Sequence, residues 1–227
     1  MLALTLFGVF FLIALAGVPL LFSILITTVG IIWAQDLGHP LETIFLSFIG
    51  GVEPFILLAV PLFIFAGELL AQGGVGKRIV EFARVQFGWL PGGLGVVTVM
   101  SCTMFGGVSG SAIADTAAIG SLVIPAMIAR GYSRGFAAAL LAVAGTIALL
   151  MPLSIPFLIY AFISGVSMRT LSMAGLLPAL ASAIALIVVC MWHGRKTGCD
   201  NGEDRSSLPQ IWAATRDAGP ALLMPVI

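Results

Sequence analysis

The 227 residues are 60% hydrophobic and only 9% charged, with a mean hydropathy of +1.16, a composition foreign to soluble globular domains. Ten Lys and Arg balance ten Asp and Glu, so no basic surplus points to nucleic acid, and the charges gather between long apolar runs suited to a lipid bilayer. Cys102, Cys190 and Cys199 show neither metal-ligand spacing nor a disulfide framework, and the two histidines, His39 and His193, sit at loop positions unsuited to a transition-metal site.

In chain order, residues 1–72 read as scaffold transmembrane helices. Leu2 to about Trp33 is apolar and long enough to span, with Gly17-Val18-Pro19 kinking it, and no Lys or Arg precedes it as a cleaved signal peptide requires. After a short polar loop, a second span is expected from about Thr43 to Leu70, with Glu53-Pro54 near its start and Pro61 in its middle. Residues 73–91 form an amphipathic interfacial helix, with Lys77, Arg78, Glu81 and Arg84 set against Ile79, Val80, Phe82, Val85 and Phe87. Trp89 suits the headgroup boundary at its end.

Residues 92–132 pose a length problem. A straight helix from Leu94 to Arg130 has 37 residues, about 55 Å at 1.5 Å per residue, nearly twice the hydrocarbon thickness. A re-entrant helical hairpin resolves it. Gly106, Gly107 and Gly110 give the tip its backbone freedom, Ser109 or Ser111 caps the returning arm, and Asp115 lies where a carboxylate favours the helix dipole. With a hairpin here, nine of the ten cationic residues fall on one side and only Arg169 opposite, which marks the shared side as cytoplasmic.

Residues 133–168 read as a broken transmembrane helix, because Pro152 and Pro156 stand four apart and each interior proline costs a continuous helix about 3 kcal/mol. Residues 169–193 are a further transmembrane helix, 194–217 a polar linker, and 218–227 an apolar start too short to cross. The expectation is an N-terminal fragment.

Broken backbone inside a bilayer survives where protein or a watery cavity satisfies it, and transporters place such segments at ion and substrate sites. Ser109, Gly110, Ser111, Asp115, Pro152 and Ser154 are therefore the candidate ion- or substrate-binding residues. Serine hydroxyls and free carbonyls are hard oxygen donors, and Ser109 and Ser111 are the candidate sodium ligands. A structural reading stands beside each: the serines as helix caps, Asp115 as a dipole partner, and Glu53 and Glu68 as interfacial groups.

These residues resemble the large membrane subunit of the tripartite ATP-independent periplasmic (TRAP) transporters across the whole chain. The resemblance is carried by Pro61-Leu62-Phe63-Ile64-Phe65-Ala66-Gly67-Glu68, Leu90-Pro91-Gly92-Gly93-Leu94, Phe105 to Asp115, Ile119-Gly120-Ser121, Ile124-Pro125-Ala126-Met127 and Pro152-Leu153-Ser154-Ile155-Pro156. One departure is Ala148-Leu149 and Pro152-Leu153, where the family usually has Gly-Pro and a doubled proline.

The resemblance implies an all-α polytopic membrane protein built from two inverted repeats. This chain would be the first, in an elevator-type ion-coupled transporter of the bacterial inner membrane. It implies sodium-driven uptake of an organic acid, a C4-dicarboxylate or similar carboxylate, delivered by a periplasmic binding protein and aided by a small membrane subunit. Sodium enters as a coupling ion, with no cofactor.

Three other readings remain. A related sodium-coupled carboxylate carrier would work without a binding protein. An intramembrane serine protease is raised by Gly107-Val108-Ser109-Gly110, but neither histidine is placed to act as base. A scaffold subunit would have no need of two broken helices.

Overall fold

A computed structural model describes residues 2–34, 41–52, 55–152, 154–200 and 202–223, which form helices and connections with no strand among the described residues. Two compact units divide the chain, Met1–Phe55 and Ile56–Ile227.

The first unit holds α1 (Leu2–Leu15), α2 (Leu20–Ala34) and α3 (Leu41–Val52). The expected kinked span is two helices packed on each other. Gly17 takes a positive φ of 88°, so the chain turns at Gly17-Val18-Pro19. The Ser23 hydroxyl bonds back to the Val18 carbonyl at 3.1 Å and the Pro19 carbonyl at 3.3 Å, steadying the start of α2. Leu4, Phe7, Leu12 and Leu15 are exposed on α1, as expected of a surface solvated by hydrocarbon.

The second expected span is also divided. α3 ends at Val52, a 3₁₀ turn covers Phe55–Leu58, and α4 runs over Ala59–Gln72. Glu53 and Pro54 lie outside the described residues. Pro61 is in the first turn of α4, where its missing N–H costs nothing, so it does not interrupt the helix.

In the second unit α4 is followed by α5 (Val75–Phe87), the expected amphipathic helix, bent 64° from α4 across Gly73-Gly74. Gly76, Ile79 and Ala83 form its buried stripe. α6 (Gly93–Ser109) and α7 (Ala112–Ala129) are the two arms of the hairpin and pack together. Of the two, α6 is buried on nearly every face, touching α4, α5, α7, α8 (Arg134–Thr146) and α10 (Met168–Thr197). Its side chains are Gly, Val, Thr, Ser and Cys for most of its length, which lets its neighbours approach closely. An all-round buried helix of this kind is a core element.

After α8 the chain tightens into a 3₁₀ turn, Ile147–Leu150, and resumes as α9 (Ile155–Ser164). The break falls at Met151–Ser154, as the paired prolines predict. Pro156 occupies the first turn of α9, the one part of a helix that tolerates it. α10 continues four residues beyond the expected end at residue 193, to Thr197, and the predicted linker is divided between an irregular stretch and α11 (Leu208–Leu223), which packs on α5.

Among the described residues, the stretches Ala112–Ala129, Arg134–Ser164 and Met168–Thr197 are long and apolar enough to cross a membrane, and the bent pair of α4 and α5 makes a fourth if it acts as one span.

Candidate functional site

The hairpin tip is three residues of tightly specified backbone. α6 stops because Gly110 enters the left-handed region at φ 60°, and its N–H returns to the Gly106 carbonyl at 3.0 Å. Ser111 then extends, and its hydroxyl accepts a hydrogen bond from the Ala114 N–H at 3.4 Å, capping α7. Ser109 plays a different part. Its hydroxyl accepts from the Ser111 N–H at 3.2 Å and donates to Asp115 Oδ1. Asp115 is fully buried, and its second oxygen, Oδ2, has no partner among the described residues.

The broken helix lies directly against this tip. A Cβ added at Gly106 would sit 2.6 Å from Ala148 Cβ and 2.9 Å from Asp115 Oδ2, so the glycine is what admits both neighbours. At Gly107 the same addition would stand 3.4 Å from Met151 Cε. The Ile155 N–H reaches the Gly110 carbonyl at 3.5 Å, and buried Ser154 donates its hydroxyl to the Leu149 carbonyl at 2.9 Å. Gly67 of α4 closes the other flank, where a Cβ would lie 3.6 Å from the Ser109 carbonyl oxygen.

Gly106, Gly107, Ser109, Gly110, Ser111 and Asp115 therefore meet the Met151–Ile155 break in one place. Pro152 lies within that break, half-buried. The N-termini of α7 and α9 converge there, and each brings a positive dipole end that favours an anionic group. The C-terminus of α6 brings carbonyl oxygens to the same spot, and Asp115 adds a carboxylate behind them. Such a meeting of donors and acceptors can hold a carboxylate and a hard cation side by side.

Other candidates fall elsewhere. Glu68 accepts a hydrogen bond from Gln72 one turn along α4 at 2.8 Å and is exposed, as its structural reading requires. His193, expected at a loop position, lies within the last turns of α10 and stacks on Phe136 with ring centroids 3.8 Å apart, and the partner that the Ser109 hydroxyl finds is a carboxylate rather than an imidazole. His39 lies outside the described residues.

A second polar cluster escaped the sequence reading. Asp200, in the predicted linker, is buried and accepts hydrogen bonds from the Leu94 N–H at 2.8 Å, Arg130 at 3.2 Å and the Tyr132 hydroxyl at 3.2 Å. Glu203 accepts from Arg84 Nε at 2.8 and 3.0 Å and pairs with Arg130. Burial acts to raise the Glu203 carboxyl, but the hydrogen bonds and charges of Arg84 and Arg130 together hold it below the usual carboxylate range. Burial, and then the charge of Asp200, push the Tyr132 phenol well up. The one available signal was Gly92-Gly93 at a helix start, which has no side chain to cap it and so calls for a cap from elsewhere.

A family model described as "Tripartite ATP-independent periplasmic transporter, DctM component" matches residues 2–227. The isethionate TRAP transporter permease protein DctMQ of Oleidesulfovibrio alaskensis is 35% identical over 98% of this chain and 35% of its own length. The C4-dicarboxylate TRAP transporter large permease protein DctM of Rhodobacter capsulatus is 34% identical over 99% of this chain and 54% of its own length. The 2,3-diketo-L-gulonate TRAP transporter large permease protein YiaN of Escherichia coli is 34% identical over 93% and 49% respectively. The chain thus spans between about a third and about half the length of these relatives. All three are named as permeases, so the likeness is to transporters and not to enzymes. With an all-helical fold, apolar spans and a small-residue tip set against a broken helix, the chain belongs to the DctM component family of tripartite ATP-independent periplasmic transporters, multi-pass proteins of the inner membrane.

Proposed function

We propose that this chain supplies the first repeat of an elevator-type permease that takes up an organic acid, a C4-dicarboxylate or similar carboxylate, driven by sodium. A periplasmic binding protein would deliver the acid and a small membrane subunit would complete the transporter. The observation that carries the reading is the meeting of the α7 and α9 N-termini at the Ser109–Asp115 pair. The helix ends suit the carboxylate of the acid. The α6 carbonyls and the Ser109 and Ser111 hydroxyls suit sodium.

Re-entrance of the hairpin is supported by its feet. Leu94, at the start of α6, and Arg130, just past the end of α7, both bond to Asp200, so the hairpin opens and closes at one end. With the cationic residues clustered on that side, the positive-inside rule makes it cytoplasmic. The names of the relatives, which include a C4-dicarboxylate and a diketogulonate permease, support an acidic substrate.

Magnitudes require a coupling ion. Concentrating a solute tenfold costs about 1.4 kcal/mol, and each negative charge moved inward against 100 mV costs about 2.3 kcal/mol more. Two sodium ions cancel the charge of a dianion, and a third lets the potential drive uptake.

The test is uptake of labelled dicarboxylate into proteoliposomes holding the full-length transporter and its small subunit, with and without binding protein and an inward sodium gradient. Uptake should need all of them. Accumulation without sodium would overturn the coupling, and accumulation without the binding protein would assign the chain to a carrier of the independent kind.

A further inference from the structure

Asp200 lies at the opposite end of α6 from the tip, 106 residues beyond Leu94 in sequence. α6 begins with Gly92 at φ 72° and Gly93, neither of which has a side chain to satisfy the free N–H groups of the first turn. Those donors are met from outside. Asp200 Oδ2 accepts from the Leu94 N–H, and the Asp200 carbonyl accepts from the Gly92 N–H at 2.8 Å.

The same carboxylate holds the other arm. Its Oδ1 accepts from Arg130, the residue that follows α7, and Oδ2 accepts from Tyr132 in the next turn. Glu203 extends the contact to α5 through Arg84 and through its own N–H, which reaches the Gly88 carbonyl at 2.8 Å. The fit is close: a Cβ at Gly202 would lie 2.8 Å from the Trp89 carbonyl carbon, and one at Gly131 would lie 3.6 Å from Cys199 Cβ.

We propose that Cys199, Asp200, Gly202 and Glu203 form a clasp that fixes the two feet of the hairpin to each other and to α5, with Asp200 acting as a positioning residue for the tip. α6 is held by neighbours on nearly every face and moves with them as a unit, so the separation of the feet sets the alignment of Ser109 and Gly110 about 25 Å away along α6. The negative charge of Asp200 faces the positive end of the α6 dipole and a guanidinium, so both arms favour its presence. A segment that reads as a linker thereby closes the base of the hairpin. The inference concerns this geometry alone and does not rest on what the tip binds.

Cys199 is a built-in reporter. It is half-buried beside Gly131, whereas Cys102 and Cys190 are fully buried and serve as internal references. The 227-residue chain is placed in lipid nanodiscs, maleimide labelling at each cysteine is followed by mass spectrometry, and amide hydrogen exchange is read in parallel. Asp200→Ala should speed Cys199 labelling at least tenfold and raise exchange severalfold at residues 94–97 and again at residues 106–111, while residues 176–190 of α10 stay within twofold of the parent. Glu203→Ala, which leaves the buried carboxylate in place, should give a smaller change of the same pattern, and it carries the test if Asp200→Ala does not fold. Exchange raised only at residues 198–203 would reduce the clasp to a local staple and overturn the proposal. So would a uniform rise that includes α10, or Cys199 labelling as fast in the parent chain as in the variants.

Discussion

Ser109 donates its hydroxyl hydrogen to Asp115 Oδ1 across the hairpin tip, and Asp115 Oδ2 is buried with no partner among the described residues. One half of this carboxylate is satisfied by the protein and the other is not. Ser109→Ala would orphan Oδ1 as well, at a cost of about 1–3 kcal/mol for an unsatisfied buried group. The expected outcome is a lower melting temperature, loss of any stabilisation by added sodium, and uptake by the full-length transporter reduced at least tenfold. Asp115→Asn keeps the shape and an acceptor for Ser109 and should melt closer to the parent. Sodium protection undiminished in Ser109→Ala would remove Ser109 from the ion site.

Gly106 and Gly107 are adjacent but should respond differently to alanine. At Gly106 the new methyl meets Ala148 and Asp115, neither of which can retreat, and overpacking of this sort costs about 1–3 kcal/mol. At Gly107 it meets only the flexible end of Met151. Parallel thermal melts in detergent should show Gly106→Ala clearly destabilised and Gly107→Ala near the parent. Equal melting temperatures would contradict the packing of tip against break.

Ser111→Ala tests the cap of α7. Loss of an N-cap hydroxyl costs about 1 kcal/mol, and the effect should be confined to raised amide exchange at residues 112–115. A cap contributes this much and no more, so a far larger loss of uptake than of stability would assign the Ser111 hydroxyl to the ion or substrate as well.

The clasp should have a defined pH window. Glu203 is held below its ordinary value, so its contribution is present above the unfolded carboxyl range near pH 4.5 and is lost as pH falls through the lower folded value. Tyr132 is raised, so its contribution is whole below about pH 10 and is lost as pH rises beyond it. Cys199 labelling, corrected for thiolate fraction, should stay flat between about pH 5 and 9 and rise outside it. Arg84→Ala should weaken the acid limb more than Arg130→Ala does, because the hydrogen bond from Arg84 is the larger of the two that depress Glu203.

Much of this architecture was legible because it follows from length and from prolines and glycines. The 37 residues from Leu94 to Arg130 have too few polar interruptions for a loop and too many residues for one crossing, and Pro152 with Pro156 leaves no continuous helix to draw. The amphipathic stripe of α5 and a serine cap on α7, at Ser109 or Ser111, also followed from residue type and spacing. The fold-back of α1 on α2 was not legible, because an apolar run has the same hydropathy whether it kinks or reverses, and Pro61, expected in mid-span, falls in the first turn of α4 because that span is divided. Asp200 was hidden for a different reason. Its partners, Leu94 and Arg130, lie far away in sequence, and an acidic residue between polar neighbours carries no local sign of burial. At the tip, sequence could name the serines and the aspartate. It could not divide the labour by which Ser111 caps and Ser109 bonds to Asp115.

The contact between Gly106 and Ala148 has one more consequence. Where two side chains meet, a small displacement is absorbed by a change of rotamer. Here bare backbone rests on a methyl group, and there is no rotamer to turn. A displacement of the tip is therefore expected to carry the 3₁₀ turn at Ile147–Leu150 with it, like two gear teeth meshed without play. A permease coupled as proposed above, with ion and substrate held in step, would have a use for such a contact.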